Sequence, residues 1–227
     1  MKVLALGDPH GKLPKNIDSL IKKYEIELII CVGEVFPIKR SKNKGGFPDL
    51  KKGEAVLKKL LSCGLPLIIF KGNMFLTQEG SKYFKDLLRK FKNKNLYYRE
   101  TGAVKIKKKV FVLFDMIYEK HSHFWLEEKF KGFYSNDLNN KRFLKLSELL
   151  KKYKNSVLLS HAPPFGHVDK IHSGKHVGSK ILLKAIRRYQ PKLVLCGHIH
   201  EARGQSKIGK TKVINLGSEG DFTILEF

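Results

Sequence analysis

The sequence predicts an α/β fold built on two sheets. Short apolar runs alternate with amphipathic helical stretches, so that strand, loop and helix repeat along the chain. Two stretches, 103–114 and 206–215, read instead as hairpins. A mixture of crossover-linked and hairpin-linked strands fits a two-sheet α/β sandwich better than a purely parallel, doubly wound sheet. No repeat, linker or composition boundary divides the 227 residues, so a single domain spanning 1–227 is expected.

Val3 to Leu6 is the first strand. Pro14 to Tyr24 reads as a helix, with Ile17, Leu20 and Ile21 on one face. Glu27 to Val32 is the second strand. Residues 33–52 read as one long loop carrying Lys39, Arg40, Lys42, Lys44 and the Gly45-Gly46 pair; loops of this length are functional or mobile, and this one reads as a guide for a polyanion or as a solvated basic loop. Gly53 to Cys63 is a helix, Leu65 to Phe70 the third strand, and Gln78 to Phe91 a strongly basic amphipathic helix. The period then changes: Ala103 to Phe114 reads as a hairpin turning at Lys107-Lys108. Asp115 to Asn140, with His121, His123, Phe124 and Trp125, reads as a long irregular excursion. Lys141 to Lys154 is a helix, Ser156 to Ser160 a buried strand, and Gly178 to Tyr189 a helix feeding strand 192–196. The second hairpin turns at Gly209-Lys210, and Phe222 to Phe227 closes a sheet.

A chain of this length buries a sizeable core without disulfides or structural metal. Its three cysteines, Cys31, Cys63 and Cys196, lie in or beside apolar runs and lack CxxC spacing. They read as buried free thiols in a reducing compartment. No apolar stretch approaches the ~20 residues of a membrane span, and the amino terminus enters a strand directly. A soluble, cytoplasmic protein with no membrane partner is expected. Lys plus Arg number 45 against 21 Asp plus Glu, a formal charge of +24. Such a field favours phosphate esters, nucleotides or nucleic acid. The same lysines also read as the solvated helix surfaces of a Lys-rich proteome, and there is no basic tail.

The chemistry gathers at strand ends. Gly197-His198-Ile199-His200 closes the apolar run 192–196, and two imidazoles one residue apart beyond a strand can each reach a metal. Four other strand ends carry Asp8-Pro9-His10-Gly11, Gly33-Glu34, Gly72-Asn73 and Ser160-His161. In open α/β sheets ligands bind beyond the carboxyl ends of strands. Imidazole and carboxylate donors suit Mn, Fe, Zn or Ni, and no cysteine stands among them. Four histidines, two carboxylates and one amide exceed what one tetrahedral ion takes. They match two ions about 3.5–4 Å apart.

Read in order, Asp8-Pro9-His10, Gly33-Glu34, Gly72-Asn73-Met74, His161 and Gly197-His198-Ile199-His200 resemble the calcineurin-like metallophosphoesterases, whose pattern is DxH, GDxxx, GNH, a lone His and GHxH. Ser160-His-Ala-Pro-Pro164, His176-Val-Gly-Ser179, the stretch 197–204 and Asn215-Leu-Gly-Ser218 look like one branch of that family. The resemblance implies a calcineurin-like, four-layer sandwich flanked by helices. It implies two divalent metal ions, manganese first, with iron, zinc or nickel as alternatives. It also implies that Asp8, His10 and His200 bind one metal, that Asn73, His161 and His198 bind the other, and that Glu34 stands where the family has a bridging Asp. A hydroxide between the ions would then attack phosphorus in line.

Two departures from the family pattern bear on function. Glu34 is one methylene longer than Asp, so its loop must withdraw for it to bridge. Met74 replaces a histidine that stabilises the transition state or protonates the leaving oxygen, and a thioether does neither; loss of one general acid costs about 10²–10⁴ in rate. Three readings stay open: a preference for good leaving groups, substitution by His121, His123, His167, His172 or His176, or a degenerate member that binds with little turnover. His121 and His123 read as a substrate lid or a solvated loop, Arg203 as a phosphate partner or an ion pair with Glu201. Trp125 reads as a stacking platform or as core. The expected function is hydrolysis of a phosphomonoester or phosphodiester, with a slight lean towards a nucleotide or nucleic-acid substrate. The alternative is a metal-containing protein that binds nucleic acid or a protein partner.

Overall fold

Apolar runs become strands that are buried on both faces, and the helices cover them with one greasy stripe each. The computed structural model describes residues 1–41, 45–73, 75, 78–91, 95–115 and 136–227. The elements of the first half are β1 (Lys2–Leu6), α1 (Ile17–Tyr24), β2 (Leu28–Cys31), β3 (Ile38–Ser41), β4 (Gly45–Pro48), α2 (Leu50–Ser62), β5 (Leu67–Ile69), α3 (Gln78–Lys90) and β6 (Leu96–Tyr97). The second half holds β7 (Thr101–Ile106), β8 (Lys109–Phe114), α4 (Asn136–Lys152), β9 (Val157–Ser160), α5 (Lys180–Tyr189), β10 (Leu193–Cys196), a 3-10 turn (His200–Ala202), β11 (Gly204–Ile208), β12 (Thr211–Asn215) and β13 (Phe222–Glu226). They form two units, Met1–Tyr98 with Leu216–Phe227, and Arg99–Asn215.

The first unit carries a five-stranded sheet of order β13-β1-β2-β5-β6. β1, β2, β5 and β6 run parallel, and β13 is the antiparallel edge. Leu4, Leu6, Ile29, Cys31, Leu67 and Ile69 join a cluster with Ile17, Leu57, Leu60 and Phe84 from the helices. The alternate residues Val3, Ala5, Leu28, Ile30 and Ile68 are equally buried. Burial on both faces is why these strands read as unbroken apolar runs. The second unit carries a six-stranded sheet of order β11-β12-β10-β9-β8-β7. Its four inner strands are parallel, and the two hairpin partners β7 and β11 are antiparallel edges. Its core sets Val112, Leu158, Val194 and Val213 against Leu146 and Leu150 of α4 and Leu182, Ala185 and Ile186 of α5. Two mixed sheets with helices bear out the expected α/β class, and both hairpins turn where the sequence places them.

Several boundaries differ, each for a local reason. α1 begins at Ile17 rather than Pro14, because Asn16 adopts left-handed angles (φ 60°) that no helix continues. The stretch 33–52 is not one loop: β3 and β4 pair antiparallel within it. α2 then starts at Leu50, where the Asp49 carboxylate accepts from Lys52 N–H and caps the first turn. α4 starts at Asn136, so the expected excursion 115–140 ends in a helix; 116–135, with His121, His123, Phe124 and Trp125, lie outside the described residues. Lys42, Lys44 and Met74 lie outside them too. α4 is tied to the β7–β8 hairpin by Arg142, which donates to the Thr101 hydroxyl and to the carbonyls of Glu100 and Asp115.

All three cysteines are free, with Cys31 and Cys196 buried and Cys63 half-buried. Burial pushes the Cys31 thiol up to about 12; a backbone contact at Gly33 pulls against it and the Asp8 carboxylate adds to it. Cys31 is therefore held as the thiol and packs as a small core residue. Among the described residues, no helix is long and apolar enough to cross a membrane.

Candidate metal centre

In the first unit, β1, β2 and β5 are parallel, so the residues that follow them leave from one edge of the sheet. Asp8, Glu34 and Asn73 stand there with His10. Asp8 is 1% exposed and Glu34 4%. Burying two carboxylates demands strong partners, and the backbone supplies them. Asp8 Oδ1 accepts from Glu34 N–H at 2.8 Å, and Glu34 Oε1 accepts from Asn73 N–H at 2.7 Å. The Asp8 backbone is held in turn: its N–H donates to the Gly217 carbonyl, and its carbonyl accepts from Glu219 N–H.

Two glycines make this packing feasible. A Cβ on Gly33 would lie 1.7 Å from Asp8 Oδ1, and one on Gly72 (φ +65°) would lie 2.3 Å from Glu34 Cγ. The extra methylene of Glu34 thus occupies the space that Gly72 leaves. His10 sits in a left-handed turn (φ 45°) whose N–H donates to the Glu34 carbonyl. Its Nδ1 lies 3.2 Å from the Phe36 carbonyl. A carbonyl only accepts, so Nδ1 carries the proton and Nε2 the lone pair, the tautomer a metal ligand requires. Nε2 is 3.7 Å from Glu34 Oε2. Ligand atoms of Asp8 and His10 lie within 4.8 Å of each other, as do those of Asp8 and Glu34. Two carboxylates that close repel, and a divalent cation relieves the repulsion. Hard oxygen and borderline nitrogen donors suit the ions named from the sequence.

In the second unit, β9 and β10 are parallel neighbours, and His161 and His198 follow them. His161 is fully buried. Its ring centroid is 4.7 Å from that of His198, which takes left-handed angles (φ 69°). The Gly197 N–H donates to the His161 carbonyl and fixes one turn on the other. His200 opens the 3-10 turn and is exposed.

The loop after His161 is organised by two residues that the sequence did not mark as structural. Asp169, fully buried, accepts from the N–H groups of Gly166 and Gly178 and from His176 Nδ1 at 2.5 Å. Asn215, 1% exposed, donates to the carbonyls of Val168 and Ile199, joining this loop to the His198–His200 turn. His172 N–H donates to Glu201 and makes a second tie. The only advance signal for Asn215 was its place in the stretch 215–218.

Residues 129–227 match the model of a family described as metallophosphoesterase, calcineurin superfamily. Along 98% of its length the chain is 29% identical to uncharacterized protein MJ1162 of Methanocaldococcus jannaschii, covering 90% of that protein. The structure resembles TT1561 of Thermus thermophilus, with a TM-score of 0.61 at 19% identity over 96% of this chain and 90% of that one. It also resembles a dimetal phosphatase from Danio rerio, with a TM-score of 0.56 at 12% identity over 99% and 91%.

Asn215→Leu removes both donors and leaves two carbonyls of neighbouring turns without them. A loss of about 2–3 kcal/mol of stability is expected, read from the denaturant midpoint; an unchanged midpoint would contradict the role given to Asn215.

Proposed function

We propose that this chain, whose residues 129–227 match the calcineurin-superfamily model and whose α/β fold resembles the two solved structures above, is a metallophosphoesterase that hydrolyses a phosphomonoester or phosphodiester at a site holding two divalent metal ions. The observation that carries the reading is the Asp8–Glu34 pair, two buried carboxylates anchored on backbone amides beside His10, whose Nδ1 faces the Phe36 carbonyl. Asp8, His10 and His200 would hold one ion, and Asn73, His161 and His198 the other, with Glu34 as the shared carboxylate. Bound divalent ions supply Lewis-acid neutralisation of phosphoryl charge and an acidified water as nucleophile; manganese is the first to test.

The chain's own contribution is placement. The hydrogen bonds from backbone N–H groups to Asp8 and Glu34 hold both carboxylates in place, which reduces the reorganisation that a reaction there would need. The Phe36 carbonyl keeps the His10 lone pair on Nε2. A groove of about 460 Å³ lined by Gly11, Lys52 and Lys59 adjoins the His10 turn and offers positive charge to a phosphate. The three free thiols support a cytoplasmic setting. Methionine at position 74 favours a second reading, a metal-containing binding protein with little turnover.

Hydrolysis of aryl phosphomonoesters and phosphodiesters with Mn²⁺ separates the two. Turnover is expected, abolished by chelation, and lowered in His161→Ala by more than the about 10–100-fold that losing an outer-shell partner costs. Absence of turnover with metal demonstrably bound would overturn the enzyme reading. Met74→His is expected to raise turnover of poor leaving groups by up to about 10²-fold, and that of good ones far less. Equal gains on both would contradict the leaving-group account.

A further inference from the structure

A basic groove in the second unit is lined by none of the proposed metal ligands. It measures about 600 Å³ and runs between the loop after His161 and the outer side of α5. Phe165 and Leu183 supply its apolar surface; Lys180, Lys184, Arg187 and Arg188 supply the rest. The four cations fall at i, i+4, i+7 and i+8, which is one face of a helix, while Leu182, Ala185 and Ile186 on the opposite face are buried. Ser179 caps the helix by accepting from Leu182 N–H, so the stripe is held on a fixed rod.

The cations are arranged as well as numerous. Lys180 lies over the Phe165 ring at 5.1 Å, Lys184 over Phe143 at 5.4 Å, and Arg188 over Tyr189 at 5.5 Å. Ring faces steer these charges. No carboxylate is among the six lining residues. The field reaches the loop: His167 is held below its ordinary 6.5 by burial and, next, by Arg187, while Asp169 opposes them. From Lys180 to Arg188 the helix rises about 12 Å. One strand of a helical nucleic acid presents three or four phosphates over about that length, at about 3.4 Å each.

We propose that this groove binds a nucleic-acid strand, with the four cations on its phosphates and a base stacked on Phe165. A base on that ring displaces Lys180 onto a neighbouring phosphate. A small anion would use the charge alone; the aromatic surface beside it is what favours a strand carrying bases. The proposal does not rest on metal-dependent hydrolysis, and it is tested without metal.

The experiment is fluorescence anisotropy of a labelled single-stranded oligonucleotide of about twelve residues, within the site sizes such grooves take, in EDTA across a salt series. Arg187→Ala with Arg188→Ala is expected to weaken binding about tenfold and to lower the salt slope by about 1.4, at about 0.7 per phosphate contact. Phe165→Ala is expected to weaken it about tenfold with the slope unchanged, and Phe165→Trp to retain binding. Lys151→Ala with Lys152→Ala removes two charges from α4 and is expected to change affinity less than about twofold. Circular dichroism checks that each variant is folded. Equal losses in the α4 control, no effect of Phe165→Ala in a folded protein, or preference for anionic phospholipid vesicles over the oligonucleotide would each overturn the proposal.

Discussion

Three loops at one edge of the first sheet are held by a relay of carboxylates on backbone amides. Asp8 takes the N–H of Glu34, and Glu34 takes the N–H of Asn73, so the second and third loops are each anchored by a side chain of the one before. The relay depends on close approach. Gly33 lets the Asp8 carboxylate lie where a side chain would stand, and Gly72 does the same for the longer Glu34. Parallel pairing of β1, β2 and β5 brings the loops to one edge, and the relay converts that proximity into fixed donor geometry. The same bonds compensate the burial of two charges, which would otherwise be costly.

The second unit solves the same problem with neutral and charged parts in different proportion. Here the proposed ligands are histidines, which need fixed turns more than compensated charge. Asn215 spans two turns with one side-chain amide, and Asp169 gathers Gly166, Gly178 and His176 around one carboxylate. Both groups tie together the turns that follow His161 and His198. His161 and His198, with ring centroids 4.7 Å apart, are the result.

The parts of this design visible in the sequence are those governed by local pattern. Buried parallel strands announce themselves as apolar runs, and polar residues just beyond them stand out against that background. Both hairpins were legible because their turns fall on Lys107-Lys108 and Gly209-Lys210, between alternating stretches. What the sequence hid are long-range side-chain bonds. Nothing near Asn215 says that its amide reaches Val168 and Ile199, and nothing near Arg142 says that it holds the carbonyls of Glu100 and Asp115. The left-handed Asn16 and the early start of α4 were missed because pattern locates an element better than its first turn. The Glu34 departure was legible as a problem of length; its solution at Gly72 lies 38 residues further on, within another loop.

In the proposed site, Asp8, His10, Glu34, Asn73, His161, His198 and His200 would together hold a pair of divalent ions. Crystals grown with Mn²⁺ and measured for anomalous scattering test it most directly. Two peaks per chain are expected, both in contact with a Glu34 carboxylate oxygen and the remaining donors divided between them. A single peak, or none, with these side chains dispersed would contradict it.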